Sequence, residues 1–156
     1  MFLKKLKNNN RGYSTLNWTV LITISIFVLC TMLDIVNLVV VKNTLIDRVS
    51  YLASVGTIQG GFVSSAPLGW SYVMGSAPYV SNAQARVYFE SGLGVYPFVS
   101  GISISGLNQV PVHEDGVITG SCYYTPLFTK YFGTPRVYLS HSARFCGFWW
   151  YEHTQV

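Results

Sequence analysis

The sequence predicts an α+β fold: one long N-terminal helix, a short second helix, then a small antiparallel sheet of three to four strands. Three observations predict it. No charged residue lies between Gly12 and Leu33. An apolar pattern at helical spacing continues past Lys42 as far as Val55. Beyond Phe98 the pattern changes to alternation, which is the period of a strand with two unlike faces. The balance agrees with this order, because 50% of the 156 residues are hydrophobic and only 10% are charged. A soluble domain carries about a quarter charged residues.

The first element is a membrane span. Crossing the hydrocarbon core takes about 20 largely apolar residues in a helix, and Leu16 to Val41 supplies more than that. A cleaved secretory signal fits less well, since its apolar core is about 7–15 residues and is followed by small residues. Here the run is longer, and Val39-Val40-Val41-Lys42-Asn43 follows it. Lys4, Lys5, Lys7 and Arg11 precede the span, whereas residues 42–48 hold two basic groups against one acidic. The positive-inside rule therefore places the N-terminus in the cytoplasm and the C-terminal region outside. Residues 49–156 hold four basic and four acidic groups. That balance leaves no electrostatic footprint for nucleic acid.

The helix is expected to outlast the span. Leu45, Ile46, Val49, Leu52, Ala53 and Val55 continue as one stripe over residues 42–55, which suits packing on a small domain. Gly56 and then Gly60-Gly61 supply the stop. Asp34 sits within the span, where an ionisable group is costly. Two readings stand for it: the carboxylate reaches the outer headgroups, or it pairs with a partner helix.

Residues 56–80 are rich in Gly, Ser, Ala and Pro and read as a connector that keeps some apolar residues buried. The remaining domain is 81–156. A short helix is expected from Ser81 to Glu90, capped by Ser81 or Asn82 and ended by Ser91-Gly92. Strands are expected at Phe98–Ser105, within Val110–Tyr124, and at Arg136–Trp149. Glu114-Asp115-Gly116 reads as a turn that divides the second of these into a hairpin. In the third, Val137, Leu139, His141, Ala143 and Phe145 share one face, with Tyr138 and the serines on the other.

No motif for chemistry rises above this frame. His113-Glu114-Asp115 reads as a polar turn more readily than as a metal site, because contiguous residues seldom converge on one ion. Ser140 and Ser142 face away from His141, so no nucleophile and base are paired. No phosphate loop or dinucleotide fingerprint is present, and no cofactor is expected. Cys122 and Cys146 are a candidate disulfide pair. A hairpin centred near Lys130-Tyr131 sets Cys122 opposite about Leu139, so Cys146 lies on the order of 20 Å away at ~3.3 Å per residue. A bridge needs Cα atoms within about 7 Å, so it requires Phe145-Cys146 to fold back. Phe148, Trp149, Trp150 and Tyr151 form an aromatic tail with three readings: the edge of the core, a subunit-docking patch, or a contact with the outer leaflet.

Taken together, the basic leader ending at Gly12, the span bearing Asp34 and the following KNTLIDRVSYLASVGTIQGG resemble a pilin-type subunit. So do AQARVYFESGLG before the sheet and the ending GSCYYTPLFTKYFGTPRVYLSHSARF. More narrowly, the chain resembles the TadE-like minor pseudopilins of tight-adherence pili. The resemblance implies a pilin-like fold and a prepilin leader over residues 1–12, cut between Gly12 and Tyr13. It implies a structural, non-enzymatic role in a pilus or secretion apparatus. Its partners would be other pilin or pseudopilin subunits, an inner-membrane assembly platform and a prepilin peptidase, with membrane lipid around the span of residues 13–41. Prepilins usually carry Glu five residues after the cut, where this chain has Asn17. An uncharged residue there points to a minor or initiating subunit. The alternative is an uncleaved single-pass membrane subunit of a secretion or conjugation complex. An extracellular binding module on a tether is the third reading.

Overall fold

The computed structural model describes residues 10–66, 76, 78–110 and 114–147, with the backbone alone over residues 10–13. The fold is α+β. Helix α1 spans Asn10–Gln59, helix α2 spans Asn82–Gly94, and strands β1 (Val99–Ser105), β2 (Asp115–Tyr124) and β3 (Val137–Cys146) form an antiparallel sheet in the order β1-β2-β3. A 3-10 turn at Thr129–Phe132 lies between β2 and β3.

Helix α1 has 50 residues, so it is about 75 Å long at 1.5 Å per residue. Its two halves differ. From Leu16 to Leu33 the large apolar side chains are 46–63% exposed, on every side of the helix. The four hydroxyl residues of that stretch turn inward on the helix itself. Thr19, Thr23, Ser25 and Thr31 donate to the carbonyls of Thr15, Thr19, Leu21 and Phe27 at 2.8–2.9 Å. This leaves little to hydrogen-bond with water and suits an apolar solvent. From Asp34 onward one stripe is buried: Val41, Leu45, Val49, Leu52 and Ala53. These recur at spacings of four, three and seven and so share a face.

That stripe meets the sheet and α2. On β2, alternate residues point inward, with Ile118, Cys122 and Tyr124 buried and Val117 and Tyr123 exposed. Phe89 and Leu93 of α2 and Phe145 of β3 complete the core. Two inward positions are glycine because larger neighbours fill their space. A Cβ on Gly120 would lie 2.6 Å from both Phe89 and Val49 side-chain atoms, and one on Gly116 would run into the Phe145 ring. The register of the sheet sets Cys122 opposite Leu139 and Tyr124 opposite Val137, as the hairpin centred near Lys130-Tyr131 requires. On β1 one extra residue stands between the pairs Ser100↔Tyr123 and Ser103↔Ser121. Gly101 absorbs this bulge with a φ of 60°, a conformation that favours glycine.

Three boundaries differ from expectation, for one shared reason. Asp115-Gly116 is not a turn: both residues lie in β2, paired with Cys146 and Phe145. Gly116 is glycine because the Phe145 ring presses on it. Gly56 does not stop α1. It is a close-approach point for Phe62 and Phe145, and the helix ends at Gly60 and Gly61, whose φ values are 73° and 109°. The Gly61 N–H bonds back to the Gly56 carbonyl at 2.9 Å, a glycine helix end. Ser91-Gly92 does not end α2, which runs to Gly94. Arg48 crosses at Gly92, stacked over the Tyr88 ring at 4.1 Å and donating Nη1 to the Tyr88 carbonyl at 3.2 Å. The third strand, expected over Arg136–Trp149, runs over Val137–Cys146, with Phe148 and Trp149 outside the described residues.

Ser81 caps α2 through a reciprocal pair: Gln84 N–H donates to Ser81 Oγ, and Ser81 N–H donates to Gln84 Oε1. The buried Gln59 amide ties the end of α1 to the connector. Its Nε2 donates to the Gly61 and Val80 carbonyls, and its Oε1 accepts from Val80 N–H.

Candidate functional site

The site begins with a carboxylate in an unfavourable place. Asp34 follows twenty residues, Ser14–Leu33, that hold no charge. An ionised group next to such a stretch is stable only with several donors around it. The chain supplies them from its own far end. After Tyr124, β2 gives way to Thr125-Pro126, and buried Pro126 bends the chain back against α1. The next three backbone N–H groups converge on Asp34. Leu127 N–H donates to Oδ1 at 2.8 Å, Phe128 N–H lies at 3.2 Å from Oδ2, and Thr129 N–H donates to Oδ2 at 2.7 Å. Thr129 Oγ1 adds a fourth donor at 2.9 Å. Successive N–H groups in such a concavity form an anion nest.

One further bond closes the latch. The Tyr124 hydroxyl donates to the backbone carbonyl of Asp34 at 2.9 Å. Burial first, and then the charge of Asp34 beside it, push the Tyr124 phenol up to about 12. It therefore stays a donor throughout the physiological range. Asp34 itself is only 5% exposed.

Both expected roles of Asp34 look outside the chain, to headgroups or to a partner helix, but the carboxylate already has partners within it. It holds residues 127–129 of its own chain, over ninety positions away in sequence. The consequence is mechanical. The domain is clamped to α1 at the point where the helix emerges from its stripe of contacts. Thr44 Oγ1 and Tyr96 Oη, 3.2 Å apart, add a second tie farther along.

Residue by residue, the other candidates separate. Asn17 lies on the fully exposed part of α1, roughly 25 Å from Asp34 along the axis. Gly12 and Tyr13 lie within the helical backbone of α1. Phe148, Trp149, Trp150 and Tyr151 fall outside the described residues, as does His113. Cys122 and Cys146 are free thiols, and the register keeps them at opposite ends of the β2–β3 ladder. The expected alternative, a chain folded back to bridge them, is not what β3 does, because it stays paired through Cys146. Burial pushes the Cys122 thiol up, whereas the Cys146 thiol is raised by donating to Asp115 Oδ1 at 3.0 Å. His141 faces inward on β3 while Ser140 and Ser142 are exposed on the opposite face. Among the described residues, no three His, Cys, Asp or Glu side chains gather around a common point.

Of these residues, the loop donors were the ones sequence reasoning missed. Backbone N–H groups leave no signature in a sequence. The one available signal was Asp34 itself, since a buried acid demands a partner.

Comparison with known proteins adds no relative: no family model, curated protein or solved structure matches the chain. The meaning of the site rests on its geometry.

Proposed function

We propose that the protein is a structural subunit, a minor or initiating pseudopilin of the TadE-like kind, built into a tight-adherence pilus or a related secretion apparatus. The observation that carries this reading is the combination on α1. About 30 Å of helix, apolar on all sides, leads without a break into a domain latched to it by Asp34. A subunit that passes from lipid into a bundle of like helices needs both parts: an all-round apolar surface for either environment, and a rigid joint that transmits the packing of the helix to the head domain.

In this reading the N-terminus faces the cytoplasm, the sheet domain lies outside, and the Lys/Arg-rich leader is removed between Gly12 and Tyr13 by a prepilin peptidase. Like subunits and an inner-membrane platform are its partners, and it is not an enzyme. The uncharged Asn17 supports a place among minor subunits, where one charged pairing with a neighbour's new amino terminus is dispensable.

The same Asn17 keeps a second reading in play, an uncleaved single-pass subunit of a secretion or conjugation complex. Mass spectrometry of the chain isolated from its own host separates the two. A mature protein beginning at Tyr13 is the expected result. A protein that still carries Met1 to Gly12 would move the assignment to the uncleaved membrane subunit.

A further inference from the structure

The segment Leu127–Gly133 does more than hold Asp34. Its backbone is fixed against α1 at residue 34 by the latch, and its far end reaches down the helix to residue 27. There the Phe132 ring meets Phe27 edge-on, with centroids 5.1 Å apart. The loop thus lies beside residues 27–34 of α1, about 10 Å of helix, at the end of the stretch that is apolar on all sides. Thr129 turns inward to Asp34, yet the aromatic side chains of the segment are exposed. Tyr131 is 79% exposed, Phe132 69% and Phe128 37%. Lys130 stands among them, its Nζ 5.0 Å from the Tyr131 ring centroid.

The outer face of the sheet shows the same grading. On β3, exposed Tyr138 nearest this loop is followed by Ser140, Ser142 and Arg144 as the strand runs away from it. On β2, the outward residues toward the loop are Val117, Thr119, Ser121 and Tyr123, so the aromatic one stands at the loop end. Tyr123 and Tyr138 lie together at the loop end, with centroids 5.2 Å apart, and Thr119 and Ser142 share a hydroxyl hydrogen bond farther off. Exposed aromatic groups therefore gather at the end of the domain that meets the apolar helix.

Depth identifies what covers them. Ser14–Leu33 is twenty residues, about 30 Å, which matches the hydrocarbon thickness of a bilayer. With that stretch in lipid, the latched end of the loop falls at the boundary between acyl chains and headgroups, and its Phe132 end reaches about 10 Å below it, beside Phe27. Tyr and Trp favour that level, and a lysine there can reach phosphate while its stem stays in the apolar layer. We propose that Phe128, Lys130, Tyr131 and Phe132, with Tyr123 and Tyr138 beside them, form a membrane-seating surface that rests the domain on the lipid headgroups. The Asp34 latch holds this surface at a fixed depth, so the head domain stands at one height and tilt before assembly. This inference rests on the reading of α1 as a membrane anchor.

The test uses the full chain in vesicles of phosphatidylcholine with a minor fraction of phosphatidylglycerol. Cys30 and Cys146 are replaced by Ser, and buried Cys122 is kept. Single nitroxide labels are placed at Tyr131→Cys, Phe132→Cys, Ile24→Cys in the apolar helix and Ser103→Cys on the polar sheet face. Collision with oxygen, which partitions into lipid, is compared with collision with a water-soluble nickel chelate. The expected result is an oxygen-to-nickel ratio at 131 and 132 severalfold above that at 103 and below that at 24. A ratio at 131 and 132 equal to that at 103, with 24 in lipid, overturns the proposal and leaves the anchor intact. Loss of both collisions at 131 and 132, with spin–spin broadening between copies, overturns it in favour of a subunit interface. An aqueous signal at 24 overturns the anchor reading itself.

Discussion

The two halves of α1 are one continuous helix with two different surroundings. Ser14–Leu33 exposes its large apolar side chains in every direction, whereas Asp34–Gln59 buries a single stripe beneath a sheet and a second helix. Nothing in the backbone marks the change. It comes from side chains alone, and it falls at Asp34, the residue the domain uses to grip the helix. The comparison teaches that hydrophobicity has two uses in this chain. In the first half it makes a helix long and apolar enough to cross a membrane, with few contacts inside the chain. In the second half it builds a packed interior, where single atoms matter. The two halves should therefore fail independently.

The largest effect is expected in the packed half. Phe89 is fully buried between α1 and the sheet. Phe89→Ala should cost about 3–5 kcal/mol of domain stability, read by denaturant titration of near-ultraviolet circular dichroism. Membrane association should not change. Loss of membrane association in this variant would mean that the two halves are not separable. The converse substitution is Ile24→Arg in the exposed half. It should oppose insertion by about 2.5–3.5 kcal/mol near the middle of the span and leave the unfolding midpoint of the domain where it was. Alkaline extraction of membranes measures the first quantity and the same titration measures the second.

What the sequence made visible follows the same division. The apolar span, the stripe from Leu45 to Ala53 and the alternation from Val137 to Phe145 are periodic, and periodicity is a property of the chain alone. The opposition of Cys122 and Leu139 followed from the centre of the hairpin. The glycines were misread because a glycine has two causes. At Gly60 and Gly61 the backbone turns into a left-handed conformation, and the helix does end there. At Gly56, Gly92 and Gly116 a distant side chain, Phe145 or Arg48, occupies the space of a Cβ. The sequence records only that the side chain is absent. The nest around Asp34 was hidden for a related reason. Its donors are backbone groups of Leu127, Phe128 and Thr129, brought there by Pro126 and the register of β2.

The junction between the halves sharpens the comparison. Asp34→Asn keeps the size of the side chain but removes the charge and turns an amide toward N–H donors. Hydrogen bonds to a charged group contribute about 1.5–3 kcal/mol, and unsatisfied buried donors carry their own cost. A loss of about 2–3 kcal/mol is expected. Hydrogen exchange should rise first at the amides of residues 127–129, while the amides of β2 and β3 stay protected. Protection that remains at 127–129 in Asp34→Asn would show that the loop is held by packing and that the carboxylate is incidental.

The smallest effect isolates the other strand of the latch. Tyr124→Phe removes one hydroxyl that donates to the Asp34 carbonyl, a bond contributing about 1 kcal/mol near neutral pH. The pH dependence has a definite sign. The folded phenol titrates at about 12 against an ordinary value of 10.0, so between these values the folded state holds a proton that the unfolded state has released. Stability must then fall as pH rises through that interval, and the contribution is fully present below it. Other groups titrate there too, so the informative quantity is the difference between wild type and Tyr124→Phe. That difference should be constant up to about pH 10 and shrink toward pH 12, because the variant has no phenol to lose. A difference that stays flat to pH 12 would mean that the Tyr124 hydroxyl reaches water. The closed interior of the packed half would then end before Asp34, with the latch on the water side of the boundary.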